Sequence, residues 1–279
     1  MSVRLIAHSI WDNPGNRGKR LRKTLSAVAW QFKKRTTGSI RGLLLPNGMR
    51  FNAYPDCVVS SSLIYSDWPE YRELMFIRRA LRQGDAVIDV GANVGHISLL
   101  LSDVVGGQKV FAFEPVPGTY RRLKENWQLN GLPPENIFAV AVGESRGMVF
   151  IENDQHPTTT LSVSNVPSGD GAVEVPLVRL DDYRHCWQGS AVGFLKVDVE
   201  GYETEVFLGG DLLLREDRPR LIMFESLSGR LDARLAAIMA SHAYTVFQLD
   251  EDGGPDFLHY SAQNLFAMPQ EVLAEGMGR

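Results

Sequence analysis

Residues 89–95 have the sequence DVGANVG, and the strands and helices predicted for the rest of the chain are interpreted from this turn. It follows the apolar segment Ala86–Val90, a predicted buried strand, and precedes Ile97–Leu101, a predicted helix. Gly91 permits a tight turn and a close approach of a ligand to the backbone, while Gly95 lets the helix pack near the strand. A strand, a glycine turn and a helix in this order predict a nucleotide-binding unit, with its ligand at the carboxyl end of the strand.

An acidic residue ends the next predicted strand. The apolar segment Val110–Phe113 is followed by Glu114 and Pro115. In nucleotide-binding units of this kind, an acid roughly 20 residues past the glycines bonds the ribose hydroxyls. We therefore expect Glu114 to bind the ribose of the ligand and Pro115 to lie in the same binding site.

The charge next to the turn favours S-adenosylmethionine over a dinucleotide. A dinucleotide site has the spacing G-x-G-x-x-G, whereas here Ala92 and Asn93 follow the first glycine. Asp89 is a poor neighbour for a pyrophosphate but a good neighbour for the amino group and sulfonium of S-adenosylmethionine. We expect the methionine part of this cofactor to lie against Asp89, Gly91, Asn93 and Gly95. A glycine turn of purely structural purpose is the alternative.

A second charged group ends the strand predicted over Val192–Val199. This segment and the residue after it contain Lys196, Asp198 and Glu200, which share one face if the extended conformation persists. Burying three charges at the end of a sheet is costly unless they are paired or used. The pattern predicts an active-site rim, with an ion-paired strand end of structural purpose as the alternative. Glu225 ends the neighbouring strand candidate and should lie at the same edge.

Lys196, Asp198 and Glu200 are the candidate catalytic residues, and the two carboxylates are the leading general bases. Burial and like-charged neighbours can raise the pKa of a carboxylate toward neutrality, whereas Lys196 opposes that shift. His96 and His156 are rival bases because histidine titrates near neutral pH. With a third acid, the two carboxylates would also offer an all-oxygen set suited to Mg²⁺. Nothing in the spacing requires a metal ion, and none is predicted.

Three motifs in this order resemble the FkbM-type S-adenosylmethionine-dependent methyltransferases. They are DVGANVG at 89–95, FEP at 113–115 and LKVDVEGYE at 195–203, and the resemblance covers about residues 70–270. It implies a Rossmann-like α/β fold with a seven-stranded sheet, strand order 3-2-1-4-5-7-6, an antiparallel last strand and helices on both faces. It also implies methyl transfer to oxygen, commonly a hydroxyl of a sugar, lipid or secondary metabolite.

Two other functions fit the same turn. A nicotinamide-dependent oxidoreductase shares the layered architecture, but the missing middle glycine and Asp89 argue against it. A non-catalytic nucleotide-binding module would keep the turn without the chemistry, but the intact charged segment at 195–203 argues against it.

Ala141 and Val142 are expected to line the adenine. The polar segment 156–160 is either part of the acceptor pocket or, as the preferred interpretation, a surface loop.

The first 50 residues differ in charge from the rest of the chain. They carry 11 basic residues and one acidic residue, while the remainder carries 18 basic and 32 acidic residues. A predicted basic helix bears one apolar stripe, formed by Leu21, Leu25, Val28 and Phe32. Such a helix indicates contact with an anionic membrane or an acidic substrate, but packing on the acidic body or on a second copy is the preferred interpretation.

Other elements follow from the same kind of pattern. Residues 40–65 predict short strands with turns, so the chain divides into a basic extension, 1–65, and a methyltransferase domain, 66–279. The remaining predicted strands are Ile137–Val142, Met148–Glu152, Val173–Val178, Leu221–Phe224, Tyr244–Leu249 and Asn264–Ala267. The remaining predicted helices are Tyr71–Leu81, Pro117–Asn130 and Leu231–Ala240.

Composition excludes several classes of protein. A chain of 279 residues with 44% hydrophobic residues and a net charge of −4 is neither disordered nor fibrous. Cys57 and Cys186 form no C-x-x-C pair, which argues against a disulfide framework and a thiolate zinc site. We find neither a membrane-spanning apolar run nor a signal peptide, so a cytoplasmic location is expected. The expected partners are a small-molecule or glycan acceptor and a second copy of the chain, not nucleic acid.

Overall fold

The computed structural model describes residues 3–152, 163–164, 172–226 and 229–276. The strands are β1 (Arg41–Leu44), β2 (Arg50–Ala53), β3 (Ala86–Val90), β4 (Val110–Phe113), β5 (Ile137–Phe138), β6 (Ala141–Val142), β7 (Gly147–Glu152), β8 (Val163–Ser164), β9 (Ala172–Val178), β10 (Val192–Val197), β11 (Leu221–Glu225), β12 (Tyr244–Leu249), β13 (Pro255–Asp256) and β14 (Asn264–Pro269). The helices are α1 (Val3–Trp11), α2 (Arg20–Thr36), α3 (Val58–Tyr65), α4 (Tyr71–Ala80), α5 (His96–Val105), α6 (Pro117–Gln128), α7 (Glu203–Gly209), α8 (Ala233–Ser241) and α9 (Gln270–Ala274).

One large sheet has the strand order β13-β12-β14-β11-β10-β3-β4-β5. Strands β5, β4, β3, β10 and β11 are parallel, and β14 runs antiparallel to both β11 and β12. The expected order and the antiparallel last strand are therefore confirmed. Among the described residues this sheet has eight strands rather than seven, because the two-residue strand β13 adds an edge beyond β12.

Two hydrophobic cores cover the two faces of this sheet. Val87 packs in one core with residues of α4, α5 and α6, whereas the next residue, Ile88, packs in the other with residues of α7 and α8. Alternate residues of a strand point to opposite faces, so a parallel strand with helices on both sides is apolar along most of its length. All residues of β3, β4, β10 and β11 are accordingly buried. Polar groups meet at the carboxyl edge, where these strands end.

The basic extension packs on the same core as the helices next to it. Ile10, Trp30 and Phe51 are buried in one continuous cluster with Leu74 and Leu99. The division at residue 65 remains a prediction. The segment 58–65, predicted as part of the short strands, is helix α3. Its two valines favour a strand locally, but burial of the last turn of α3 outweighs that preference.

A second sheet of four strands has the order β6-β9-β7-β8. The single strand predicted over Ile137–Val142 is divided between the two sheets, because β5 pairs with β4 while β6 pairs with β9. The sequence also did not predict helices α1 and α7. No helix in the described ranges is both long and apolar enough to cross a bilayer.

Candidate donor and catalytic site

The glycine turn and the end of β10 meet without space for a side chain between them. The backbone N–H groups of Gly91 and Ala92 both donate to the carbonyl oxygen of Phe113, each at 3.0 Å. Gly91 has a φ of 77°, and a Cβ at this position would lie 1.8 Å from the carbonyl oxygen of Asp198. Only glycine satisfies both conditions, so the turn brings two of the three sequence motifs into contact.

Glu114 joins the third motif to this turn. Its Oε2 accepts a hydrogen bond from the Asn93 N–H and its Oε1 one from the Val116 N–H, both at 2.9 Å. Burial raises the pKa of Glu114 to about 7, although these two backbone N–H groups oppose the shift. Each carboxylate oxygen has a further lone pair, so hydrogen bonds from ribose hydroxyls remain compatible with these contacts.

Asp89 lies beneath the turn, with no solvent-exposed surface. Its Oδ2 accepts a hydrogen bond from the Ser98 hydroxyl at 2.7 Å. Strands β3 and β10 pair in a register that places Lys196 beside Asp89, and the ammonium nitrogen lies 3.5 Å from Oδ1. The sequence suggested a direct approach of the cationic donor to Asp89. In the structure Asp89 lies beside Lys196, and its contact with the donor remains a prediction.

Lys196 is the cation that connects the motifs. Its ammonium nitrogen lies 3.1 Å from Oδ2 of Asp198 and donates to the carbonyl oxygen of Gly91 at 3.1 Å. Burial alone disfavours the charged form, but the carboxylates of Asp198 and Asp89 raise the pKa of Lys196 above its usual range. The side chain therefore stays protonated and links the ends of β3 and β10.

Three carboxylates converge beside Lys196, because β10 and β11 end next to each other. Asp198, Glu200 and Glu225 each place an oxygen within 4.8 Å of the other two. Burial opposes ionisation of Asp198, but the charge of Lys196 more than offsets it and lowers the pKa of Asp198. Burial and the neighbouring charge of Asp198 raise the pKa of Glu225 to about 6, while Gln263 opposes this by donating to Oε1 at 2.8 Å. Of this pair, Glu225 is therefore the group that holds a proton more readily.

Glu200 occupies a strained position at the rim of this cluster. Its φ is 56°, in the left-handed region that a residue with a side chain adopts at a cost of about 1–3 kcal/mol. Burial and the charges of Glu225 and Asp198 raise the pKa of Glu200 to about 7. Glu203 holds the turn in place, because its Oε1 accepts hydrogen bonds from the Val199 and Gly201 N–H groups, both at 3.1 Å.

Within the described ranges, Asp198, Glu200 and Glu225 are also the one group of acidic, histidine or cysteine side chains spaced to hold a metal ion. Carboxylate oxygens are the ligands that Mg²⁺ and Ca²⁺ prefer. The ammonium of Lys196 already supplies a positive charge 3.1 Å from Asp198. The absence of a metal remains a prediction.

Glu70 is a member of this site that the sequence did not reveal. It ends the loop before α4 with a φ of 49°. The surrounding protein and the charges of Glu73, Asp198 and Glu225 raise the pKa of Glu70, although the residue is exposed to solvent. No motif surrounds Glu70 in the sequence. Only the fold brings Glu70 close enough to Lys196 for their charges to interact.

His96, the first residue of α5, is buried at the same edge. Burial and the charge of Lys196 lower the pKa of His96 to about 4, so the ring is neutral at pH 7 and is a weak base. The rival base His156 lies outside the described residues. Six buried side-chain atoms in the described ranges lack a hydrogen-bond partner, and three of them are Oδ1 of Asp89, Nδ1 of His96 and Oε2 of Glu225. Unsatisfied buried polar atoms are rare, so their concentration fits a ligand site.

The residues expected at the adenine lie next to the Glu114 loop. Ala141 packs in a small cluster with Val116 and Tyr202. Val142 belongs to the same core as Phe113, the core that also contains residues of α7 and α8. Both side chains are already buried. Their contact with adenine, like that of Pro115, remains a prediction.

Comparison with known proteins places this site in a family. The sequence profile of the methyltransferase FkbM domain matches residues 89–246, which contain all three motifs. The hexuronic acid methyltransferase AglP of Haloferax volcanii is 30% identical over 127 residues, covering 46% of this chain and 50% of AglP. The 31-O-demethyl-FK506 methyltransferase FkbM of Streptomyces tacrolimicus is 27% identical over 214 residues, covering 63% of this chain and 81% of that protein.

Solved structures show looser likeness. Precorrin-6y C5,15-methyltransferase from Geobacter metallireducens gives a TM-score of 0.38 at 15% identity, covering 71% of this chain and 85% of that one. An S-adenosylmethionine-dependent O-methyltransferase from Thermotoga maritima gives 0.36 at 12% identity, covering 72% and 65%. At these scores the likeness adds nothing to the topology described above.

Proposed function

Because the chain belongs to the FkbM family of S-adenosylmethionine-dependent methyltransferases, we propose that it transfers a methyl group to a hydroxyl oxygen of a sugar, glycolipid or secondary metabolite. The observation that carries this proposal is the carboxylate cluster of Asp198, Glu200 and Glu225 beside the glycine turn. The cofactor supplies a methyl group bonded to a positively charged sulfur. The protein must position the acceptor oxygen and remove its proton.

The turn and Glu114 are the proposed cofactor contacts. Glu114 binds the ribose hydroxyls, and Gly91 and Asn93, which are not fully buried, lie against the methionine part. Pro115, Ala141 and Val142 enclose the remainder. Ala92 and Gly95 complete the turn and are proposed as parts of the same cofactor site.

The charge of the site supports a cationic ligand. Asp198 and Glu200 are partly exposed at the rim, and Glu70 adds a third carboxyl group to the same field. Lys196 balances only part of this negative charge, because Asp89 and Asp198 already share its ammonium. The electrostatic preference for a sulfonium over a pyrophosphate therefore arises from the carboxylates at the rim. Asp89 contributes indirectly, because it shares the positive charge of Lys196.

Glu200 is the proposed general base. A carboxylate whose pKa is about 7 is matched to proton removal near neutral pH, and such a base contributes typically 10²–10⁴-fold in rate. Asp198 is a weaker base because Lys196 stabilises its ionised form, so its proposed role is to orient the acceptor hydroxyl. Holding the two reactants in line can supply on the order of 7–11 kcal/mol of the barrier reduction.

The names of two relatives support oxygen as the acceptor atom. One is the 31-O-demethyl-FK506 methyltransferase described above, and another is the 2-O-methyltransferase NoeI of Sinorhizobium fredii. The alignment with AglP spans half of that protein, so its hexuronic acid acceptor is one candidate class among several. Neither an oxidoreductase nor a binding module is supported by these relatives.

Transfer of labelled methyl groups tests the proposal. The protein is incubated with methyl-labelled S-adenosylmethionine and three acceptor classes: a hexuronic acid glycoside, a neutral glycolipid and a hydroxylated polyketide. We expect a labelled methyl ether on at least one of them, with strong loss of rate in Glu200→Gln and none in Glu174→Gln, an exposed residue of β9. Label on nitrogen or carbon, or equal rates in both variants, would contradict the proposed chemistry.

A further inference from the structure

Helix α2 carries an apolar stripe that faces solvent. Leu21, Leu25, Val28 and Phe32 are 71%, 65%, 64% and 69% exposed. Their spacing of four, three and four residues places them on one side of the helix. The preferred interpretation from sequence was a helix packed on the acidic body or on a second copy; in the single chain this stripe is not the side of α2 that packs.

The opposite side of α2 is fixed to the protein. Ala27 and Trp30 are buried, and the Trp30 indole donates to the Ser61 hydroxyl at 3.0 Å. Gln31 donates to the Tyr65 hydroxyl at 2.6 Å. The helix cannot rotate its stripe inward without exposing Trp30, so the outward apolar face is a fixed feature of the fold.

Basic residues border the stripe on both sides. At 100° per residue, Arg22 lies beyond one edge and Arg35 beyond the other, and both are exposed. The first 50 residues carry a net charge of +10, opposite in sign to the remainder of the chain. An apolar stripe between cationic borders is complementary to a surface that is apolar inside and anionic outside.

We propose that this face of α2 binds the surface of an anionic lipid bilayer, with Leu21, Leu25, Val28 and Phe32 among the acyl chains and Arg22 and Arg35 at the headgroups. A second copy of the chain fits less well. A two-fold interface through the stripe would bring the same basic borders of both copies together, and like charges would repel. An anionic bilayer offers acyl chains to the apolar stripe and negatively charged headgroups to the two arginines.

Vesicle flotation tests the proposal with the full chain and needs neither cofactor nor acceptor. Vesicles of phosphatidylcholine alone are compared with vesicles containing about one quarter phosphatidylglycerol. We expect binding to the anionic vesicles that weakens with added salt. Replacing Arg22 and Arg35 together by glutamine should weaken it about 25-fold, since each basic residue near such a surface contributes about fivefold.

The variant Leu25→Ser/Phe32→Ser should weaken binding at least about tenfold, because it removes apolar surface from the acyl region. Leu258→Ser is the matched control, since Leu258 is 84% exposed but lies outside α2. All of these side chains are exposed, so folding should be unchanged by circular dichroism. Failure of the wild-type protein to bind anionic vesicles at low salt would overturn the proposal. So would a wild-type dimer in solution that Leu25→Ser/Phe32→Ser converts to a monomer.

Discussion

Replacing Lys196 by methionine should destabilise the protein far more than any surface ion pair could. The Lys196 side chain is 4% exposed and that of Asp89 is 0% exposed, so the variant leaves a buried carboxylate without its counterion. Breaking a buried pair by removing one partner costs about 3–5 kcal/mol. That is a large part of the 5–15 kcal/mol by which a folded protein is typically stable.

Urea unfolding followed by circular dichroism measures this cost. With a slope of about 3 kcal/mol/M, the midpoint should fall by about 1–1.7 M. Lys19→Met is the matched control: its pair with Asp67 is shorter, at 2.8 Å, but the Lys19 side chain is 54% exposed. An exposed pair contributes at most about 1 kcal/mol, so this control should lose little.

A second substitution identifies the cause of the loss. If the cost arises from the unpaired carboxylate, adding Asp89→Asn to Lys196→Met should recover part of the lost stability, whereas Asp89→Asn alone should destabilise the wild-type protein. Our reasoning is refuted if Lys196→Met costs no more than Lys19→Met. Strict additivity of the two substitutions would refute it as well.

Four further outcomes are expected. Below pH 7, kcat should rise about tenfold per pH unit and then level off, because Glu200 must lose its proton to act as a base. Glu200→Gln should lower kcat about 10²–10⁴-fold and abolish that rise without changing donor affinity; an unchanged pH profile would exclude Glu200 as the base. Gly91→Ala should destabilise the fold much more than Gly189→Ala in urea unfolding. Both positions have positive φ, but only at Gly91 does a Cβ meet a backbone atom, at 1.8 Å. Equal losses would contradict the close packing of the turn. Turnover should persist in excess EDTA, and restoration of lost activity by Mg²⁺ would instead assign a metal to the acidic cluster.

Continuous apolar runs explain why the central sheet was predictable. Strands β3 and β4 were predicted with their observed bounds, because a strand buried on both faces admits almost no polar residue before its end. Helix α3 was not predicted, since local β-branched residues suggested a strand and only packing against the rest of the extension, including α2, decides otherwise. Short segments such as β13 have no periodicity to detect.

The candidate site, like the fold, was predictable from the sequence only in part. The charges of Asp89, Lys196 and Asp198 stand out within apolar strands, but which carboxylate faces Lys196 depends on the pairing register of β3 and β10. The sequence did not predict that this register places Lys196 beside Asp89, and the contact of Asp89 with the donor remains a prediction. Glu70 lies in a loop far from every motif, and no local pattern could have placed it near Glu225.

Titration calorimetry with S-adenosylmethionine, NAD and the Glu114→Ala variant decides whether the turn at 89–95 and Glu114 form the cofactor site. We predict that the wild-type protein binds S-adenosylmethionine and does not bind NAD, and that Glu114→Ala weakens donor binding at least about tenfold through loss of the ribose hydrogen bonds. Glu174→Ala, on the exposed side of β9, should bind like the wild type. Binding of NAD by the wild-type protein, or an unchanged affinity for S-adenosylmethionine in Glu114→Ala, would contradict the assignment.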